Sequence, residues 1–281
     1  MIAGVRKSAI AGSWYPGNPR ILREEIEGFF SLVPDEDARG NVVGLVVPHA
    51  GYVYSGQVAA YAYKFIRGGI FDHVIVIGPS HHAFFHGVSL YDRGGYETPL
   101  GVVPVDEALA GNIAAGSTVV ASLPETHLQE HSIEIQLPFL QVAFARAFRF
   151  VPLLMGEQDL RTCEALADSI AGAVGGDSVL IVGSSDLSHF HAYDQALKMD
   201  GRALYHMEKR DAAGLLDDIE NRRCEACGGG PAAVTMMAAG RLGADGARLL
   251  KYANSGDVTG DRRSVVGYAS VIYYKSDSAR D

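Results

Sequence analysis

The chain has 281 residues, of which 48% are hydrophobic and 20% charged, and its formal net charge is −9 at pH 7. This length and apolar content suffice for a large buried core. The acidic balance argues against nucleic acid as a partner, because an acidic surface repels phosphate backbones. No apolar run approaches the roughly 18 residues of a membrane span, so no membrane association is expected. Three cysteines, an odd number, argue against a disulfide framework and predict a cytoplasmic protein.

Apolar periodicity predicts alternating strands and helices in the first half of the chain. In chain order we expect a helix at 20–33, a polar loop at 34–40, a strand at 42–47, a helix at 56–66, a strand at 74–77, a β-meander on a sheet edge at 86–103, a helix at 105–113 and a strand at 118–122. Ser55 is the expected N-cap of the second helix.

Two of these buried strands are followed by histidines. His49 comes directly after strand 42–47, and His81 and His82 follow the Gly-Pro turn that closes strand 74–77. Histidine is the commonest metal ligand, and open α/β sheets bind ligands at the carboxyl ends of their strands. A single histidine in such a place would more often be structural. The recurrence of the arrangement at two strand ends instead predicts a shared site.

The strongest helix pattern covers residues 125–147. His127, His131 and Glu134 are spaced to share one helical face. Pro138 removes the backbone donor that would bond the carbonyl of Glu134, which predicts a kink beside these side chains. Two interpretations stay open, a functional cluster at the kink and a surface helix with solvated histidines.

The second half of the chain contains a third strand that ends in polar residues. Beyond residue 148 we expect a strand at 149–154 near a sheet edge, where Pro152 is tolerated, a helix at 158–173, a strand at 178–183, helices at 194–218 and 231–241, and strands at 247–253 and 265–274. Asp186 and His189 follow strand 178–183. A carboxylate beside an imidazole fixes its tautomer and raises its basicity.

A cysteine precedes the apolar helix at 231–241. Pro231 suits the first turn of that helix, so Cys227 lies near its N-terminus, where backbone amides lower the pKa of a thiol. Cys224 forms a C-x-x-C pair with it, but a single pair makes no four-cysteine zinc site, and we expect Cys224 to be exposed. No linker or repeat divides the chain, so residues 1–281 are predicted to form a single domain.

Several longer motifs resemble a known family. VPHAGYVYSG, GPSHH, ETHLQEHSIEIQLPFL, GSSDLSH and CGGGPAAV follow the N-terminal AGSWYP in this order. Together they resemble the Memo family, which includes protein B of the AmmeMemoRadiSam system and is related to the class III extradiol ring-cleaving dioxygenases. The resemblance covers nearly the whole chain. It implies a three-layer α/β/α sandwich with a mixed central sheet, and a task shared with a radical-SAM enzyme and a third small protein.

The resemblance also implies a metal site. His49, His81 and the thiol of Cys227 would hold an iron or copper ion, with zinc less expected. Asp186 and His189 would line the same pocket, His189 as general acid or base oriented by Asp186. The further residues expected around the pocket are His82, Tyr54, His131 and Glu134. A small molecule or a peptide would bind there.

The donor set departs from that of the dioxygenases. Their ferrous ion is held by two histidines and one carboxylate. Cys227 would replace the carboxylate, and a thiolate favours softer ions, including cuprous copper, so catechol cleavage is not assumed.

Three functions are compatible with such a site. The first is a metal-dependent redox enzyme. The second is a binding protein that handles metal or binds a peptide in the same pocket. The third is a zinc hydrolase with an activated water near His189. A serine triad is disfavoured because Ser80 lies in G-P-S-H-H and not in a G-x-S-x-G elbow.

Overall fold

The computed structural model describes residues 4–35 and 41–276. From residue 36 onward, the predicted loop at 34–40 lies outside these ranges. The strands are β1 (Val5–Arg6), β2 (Asn41–Val47), β3 (His73–Pro79), β4 (Val88–Leu90), β5 (Gly95–Thr98), β6 (Gly101–Pro104), β7 (Val120–Ser122), β8 (Val151–Met155), β9 (Val179–Ser184), β10 (His189–His191), β11 (Gly246–Asn254) and β12 (Val265–Lys275). The helices are α1 (Pro19–Ser31), α2 (Tyr52–Phe65), α3 (Glu107–Ala115), α4 (Leu137–Ala143), α5 (Leu160–Val174), α6 (Tyr193–Lys209), α7 (Ala212–Glu220), α8 (Gly229–Arg241) and α9 (Ser255–Thr259).

A mixed sheet forms the centre of the fold. Within the described ranges it has nine strands in the order β10-β12-β2-β9-β3-β8-β4-β7, with β11 pairing β12 beside β10. Strands β2, β9, β3 and β8 are mutually parallel, whereas β12 and β4 run antiparallel to their neighbours β2 and β8. Parallel strands buried on both faces explain the continuous apolar runs seen in the sequence. Their carboxyl ends meet at one edge, where the candidate site lies. A smaller sheet has the order β1-β5-β6.

Helices cover both faces of the large sheet. On one face, a Cβ atom on Gly44 of β2 would come within 2.9 Å of the Thr235 side chain in α8, so glycine permits the close approach of this helix. On the other face, the hydroxyl of Ser270 in β12 donates to the carbonyl of Val58 in α2. The predicted α/β sandwich with a mixed central sheet is therefore confirmed. None of the helices in the described ranges is long and apolar enough to span a bilayer.

The predicted helix at 125–147 is wrong. This part of the chain forms two 3₁₀ turns, Pro124–His127 and Glu134–Gln136, followed by α4. Between the turns, the carboxylate of Glu130 accepts the backbone N–H groups of His131 and Ser132, which takes these donors away from a helical ladder. Pro138 lies in the first turn of α4, where its missing donor costs nothing, so it begins a helix instead of kinking one.

Four smaller predictions also differ from the structure. Strand β8, which contains Pro152, lies inside the sheet between β3 and β4, and the carbonyl of Pro152 still accepts a hydrogen bond from Tyr91. The expected meander at 86–103 is divided, since β4 joins the large sheet and β5 pairs with β6 in the small one. Helix α2 begins before Ser55, whose hydroxyl donates to the carbonyl of Ala50 instead of capping the helix. The helix expected at 194–218 is two helices, α6 and α7.

An ion pair in the interior connects the N-terminal segment to the second 3₁₀ turn, and the same cation binds the irregular segment 128–133 between the two turns. Arg6 is 2% exposed, and its Nη1 lies 2.6 Å from a carboxylate oxygen of the fully buried Glu134. The same guanidinium donates to the carbonyls of His127 and Glu130. Its donors are therefore satisfied by one anion and two carbonyls, as a charge in the interior requires.

The carboxylate of Glu134 in turn binds residues 8–15, which follow β1. It accepts hydrogen bonds from the hydroxyls of Ser8 and Tyr15 and from the backbone N–H groups of Ala9 and Ile10. The nearby Arg6 and these donors outweigh burial, which alone would raise the pKa, and hold the pKa of Glu134 below its usual range. Through Tyr15, residues 14–17 are thereby held against the body of the protein.

His127 is a structural histidine within the same region. It is fully buried, with Nδ1 2.6 Å from the Tyr96 hydroxyl and Nε2 3.0 Å from the Ser89 hydroxyl. Burial, and next the positive charge of Arg6, lowers its pKa from 6.5 to about 3. The imidazole is therefore neutral at neutral pH.

We expect Arg6→Ala to lower the free energy of unfolding by about 3–5 kcal/mol, because it leaves a buried carboxylate without its cation. Urea denaturation of both proteins measures this difference. Lys7→Ala is the matched control, since it removes the neighbouring but exposed ion pair with Glu97 and should cause no measurable change. Equal losses in the two variants would contradict a dominant role of the buried pair.

We expect His127 to make the metal-free protein less stable as the pH falls from about 6.5 towards 3. In this window the unfolded chain binds a proton at this position that the folded chain does not, so the free energy of unfolding falls by up to about 1.4 kcal/mol per pH unit. His127→Gln should flatten the pH dependence of stability by that slope. His86→Gln is the control, because hydrogen bonding to Glu157 raises the pKa of this exposed histidine, which is therefore protonated in the folded and the unfolded chain between about pH 6 and 4.5, so its removal should leave the slope in that range unchanged. Parallel pH profiles for wild type and His127→Gln would refute the assignment.

Candidate metal centre

A cavity of about 620 Å³ opens at the carboxyl ends of β2, β3 and β9. It is lined by Ser13, Trp14, His49, Ala50, Gly51, Val53, Tyr54, His81, His82, His131, Asp186, His189, Val266 and Tyr268. Histidines and one aspartate form one part of the wall, and aromatic and aliphatic side chains form the rest. The convergence of the strand-end histidines, expected from the sequence, is observed.

His49 lies on the floor of the cavity between two partners. Its Nδ1 is 3.0 Å from the Ser184 hydroxyl, and its Nε2 is 3.1 Å from the Sγ of Cys227. Its backbone N–H donates to the carboxylate of Asp186 at 2.7 Å. Burial, and next the neighbouring His81, lowers the pKa of His49 to about 3. A neutral imidazole with a free nitrogen is the form that binds a metal ion.

His81 is held by a buried carboxylate that the sequence reasoning missed. Glu130 accepts the backbone N–H of His81 at 2.6 Å and faces its ring Nδ1 at 3.0 Å. Burial alone would raise the pKa of Glu130, but the hydrogen bonds from His81 outweigh it and hold this pKa far below its usual range. The carboxylate is therefore an anion that accepts and does not donate.

His131 completes a cluster of three histidines. One ring nitrogen each from His49, His81 and His131 lie within 4.8 Å of one another. The ring of Trp14 packs on that of His131 with centroids 4.4 Å apart. Burial, and next the nearby His49, lowers the pKa of His131 to about 3. Its position in the cavity wall agrees with the pocket role expected for it.

A second group of possible ligands consists of His82, Glu130 and His131. Glu130 is a poor ligand there, because its two oxygens already accept four N–H groups, two from His81 and one each from His131 and Ser132. Three of these donors share Oε1, which has no lone pair left, and the fourth binds Oε2, so only one lone pair of the carboxylate stays open to an ion. His82 is exposed at the mouth of the cavity, as is Tyr54, which agrees with their expected pocket positions.

Cys227 contacts His49 and lies outside the three-histidine group. It precedes α8, as expected, but the pKa of its thiol is raised and not lowered. Burial is the main cause and the charge of Asp186 the next. The N–H of Gly230 in the first turn of α8 is bonded to the side chain of Gln158, so it does not stabilise a thiolate. Cys224, expected to be exposed, is fully buried.

Asp186 and His189 both line the cavity. Burial raises the pKa of Asp186 above its usual range, although the backbone N–H of His49 partly opposes this effect. Among the described contacts, none joins the Asp186 carboxylate to the ring of His189 by a hydrogen bond. The expected orientation of His189 by Asp186 is therefore replaced by a different contact, in which Asp186 fixes the backbone of His49.

Glu134 does not reach the cavity. The prediction that it lies around the pocket beside His131 assumed one helical face, and the two residues diverge because that helix does not form. Glu134 instead binds Arg6 and the N-terminal segment. The residues that the sequence reasoning missed are Trp14, Glu130 and Ser184. The sequence gives only a positional signal for two of them: Glu130 directly precedes His131, and Ser184 is the last residue of a buried strand.

The donor set fits a soft or borderline metal ion. The imidazoles of His49 and His81 lie within 4.8 Å of each other at the end of a buried sheet, and the thiol of Cys227 contacts that of His49. Nitrogen and sulfur ligands suit copper, iron and zinc better than hard cations. The separation of 3.1 Å between the His49 Nε2 and the Cys227 Sγ is within about half an ångström of what two ligands of one tetrahedral ion require. The pair could therefore share an ion, whereas a third bond to His81 would require Cys227 and His81 to approach each other, because Cys227 lies outside the 4.8 Å group that contains His49 and His81.

Comparisons with known proteins agree with the sequence motifs. A family model described as Memo-like protein matches residues 6–272. MEMO1 family proteins of Methanopyrus kandleri and Methanobrevibacter smithii are 37% and 39% identical to the chain, and the alignments cover 95% and 96% of it and 98% and 99% of these relatives. A crystal structure of an uncharacterized protein from Escherichia coli K12 is similar in fold, with a TM-score of 0.55 at 14% identity over 83% of this chain and 100% of that one. Since the family model and the relatives span nearly the entire sequence, the chain belongs to the family of Memo-like proteins.

Proposed function

We propose that the chain is a metal-dependent redox enzyme that acts on a small organic molecule bound in the histidine cavity. His49, His81 and Cys227 would hold the ion, iron or reduced copper. The observation that carries the proposal is the contact of the His49 Nε2 with the Cys227 Sγ, 3.1 Å apart, beside two further histidines that each have a ring nitrogen within 4.8 Å of a ring nitrogen of His49. Imidazole and thiolate donors favour these redox-active ions over hard cations.

The chain's own residues would divide the work around the ion. The bound ion would supply electron transfer to or from the substrate. His189, in the cavity wall, would give or take a proton as general acid or base. Asp186 would keep the backbone of His49 in place through its 2.7 Å hydrogen bond. His131, packed between the rings of Trp14 and His81, would form the wall opposite Cys227.

The shape of the cavity favours a flat, partly apolar substrate. Trp14, Val53, Tyr54 and Tyr268 provide an aromatic and aliphatic wall, whereas the histidines provide a polar one. A volume of about 620 Å³ is in the range of small-molecule sites. A substrate with a ring or chain along the apolar wall and an oxygen or nitrogen donor towards the histidines matches this division.

We expect Cys227→Ala to lose the ion that the wild-type protein binds. The affinity for ferrous or cuprous ion should fall by more than the roughly 100-fold that removal of an outer partner costs, because a direct donor is lost. Elemental analysis after anaerobic purification and a chelator competition measure the content and the affinity.

The controls separate the proposed donor set from its alternatives. Cys224→Ala, which removes the other cysteine of the pair, should retain the ion, and His131→Gln should also retain it. If His131→Gln releases the ion and Cys227→Ala keeps it, the three histidines form the site and the proposed donor set is wrong. Zinc as the native ion would favour the hydrolase.

We expect His189→Gln to abolish turnover without loss of the ion. Removal of a general acid or base typically costs roughly 10²–10⁴-fold in rate. Oxygen uptake by the reduced, metal-loaded protein with a panel of small aromatic substrates measures this loss. His191→Gln is the control, because His191 binds Glu225 and lies outside the cavity lining. An absence of turnover in the wild type with every substrate would favour the binding protein, whose ligand would be metal or a peptide.

Copurification with a radical-SAM enzyme tests the proposed partners.

A further inference from the structure

We propose that Ser184 and Glu130 are positioning residues that hold His49 and His81 as Nδ1–H tautomers before any ion binds. Each histidine would then direct a bare Nε2 towards the cavity. The tautomers follow from hydrogen bonds within the described residues. Only their consequence for metal affinity rests on the proposed function.

The tautomer of His81 follows from the chemistry of Glu130. An ionised carboxylate accepts hydrogen bonds and cannot donate them. Glu130 accepts the backbone N–H of His81 and lies 3.0 Å from its ring Nδ1, so the proton of this hydrogen bond must belong to the ring. In a neutral imidazole the other nitrogen, Nε2, is then without a proton.

The tautomer of His49 follows from a chain of three hydrogen bonds that ends at two carbonyls. The side-chain amide of Gln136 donates to the carbonyl of Pro48 at 2.9 Å, which fixes its orientation, and also donates to the Ser184 hydroxyl at 2.8 Å. That hydroxyl donates its only proton to the carbonyl of Ser132 at 2.6 Å. The oxygen of Ser184 can therefore only accept from the Nδ1 of His49, 3.0 Å away.

The short segment 130–132 takes part in the hydrogen bonds that hold both His49 and His81. Glu130 accepts the backbone N–H of Ser132, and the carbonyl of Ser132 accepts the proton of Ser184. The carbonyl of Glu130 is in turn bound by the buried guanidinium of Arg6. Residues 130–132 thus act on both rings, because Glu130 binds His81 directly and the carbonyl of Ser132 binds Ser184, the partner of His49. The buried guanidinium of Arg6 holds this segment in place.

The unprotonated Nε2 atoms can accept a proton or bind an ion. The Nε2 of His49 lies 3.1 Å from the Sγ of Cys227, where it can accept the thiol proton in the absence of an ion. When an ion binds, both imidazoles present a lone pair without first moving a proton from one nitrogen to the other. Outer partners that fix the tautomer of a ligand typically contribute roughly 10–100-fold to metal affinity.

Long-range ¹H–¹⁵N correlation spectra of the metal-free protein, labelled with ¹⁵N in its histidine rings, test the proposal directly. At neutral pH, Nδ1 of His49 and of His81 should show the shift of a protonated nitrogen and Nε2 that of an unprotonated one. His49→Gln and His81→Gln identify the signals. The Nε2–H form in either residue of the wild type would overturn the proposal for that residue, whatever the variants do.

Two variants act as controls for each other. Ser184→Ala should move the tautomer of His49 towards Nε2–H and leave His81 unchanged. Glu130→Ala should do the reverse, because it removes the acceptor of the His81 Nδ1–H. Unchanged tautomers in folded variants would overturn the positioning role.

A chelator competition with ferrous or cuprous ion completes the test. Both folded variants should bind the ion roughly 10–100-fold more weakly than the wild type. Equal affinities would overturn the claim that these residues prepare the ligands. If the wild type shows the expected tautomers and binds no ion, the proposed function fails and the positioning of the rings stands.

Discussion

The guanidinium of Arg6 is the contact on which the candidate site depends. It binds the carboxylate of Glu134 and two backbone carbonyls in the interior, so it joins the N-terminal segment to both 3₁₀ turns and to the irregular segment 128–133 between them. A helix would bond the carbonyls of His127 and Glu130 internally and would leave the donors of Arg6 that they now accept without these partners. The non-helical path of the chain is therefore stabilised by a charge. That path allows Glu130 and His131 to face the ends of the strands.

The sheet contributes the other half of the site. Strands β2, β3 and β9 are adjacent or nearly so, parallel, and end at the same edge, so the residues that follow them converge without any long loop. The ladder registers fix the relative heights of His49 and His81, and α8 delivers Cys227 from the opposite side. The proposed ligands thus lie directly after strands or before a helix, and the irregular N-terminal segment brings Trp14 to the wall.

Patterns with a short range were predictable from the sequence, and contacts between distant segments were not. The buried strands and the histidines after them follow from runs of β-branched residues closed by turn residues, and the family motifs indicated Cys227. The spacing of His127, His131 and Glu134 imitates a helical face, yet each side chain has its partner elsewhere. Glu134 binds Arg6, 128 residues away, and no local pattern reveals such a partner. The raised pKa of the Cys227 thiol is likewise an effect of burial, which becomes visible only in three dimensions.

The chain contains a single tryptophan, and its ring lies in the cavity wall against His131. The intrinsic indole emission of the protein therefore originates beside the proposed ligands and nowhere else. Paramagnetic ions quench such emission at short range, and a bound ring would alter its wavelength by displacing water. The protein thus carries a built-in optical reporter of what enters its cavity, with no label to perturb the site.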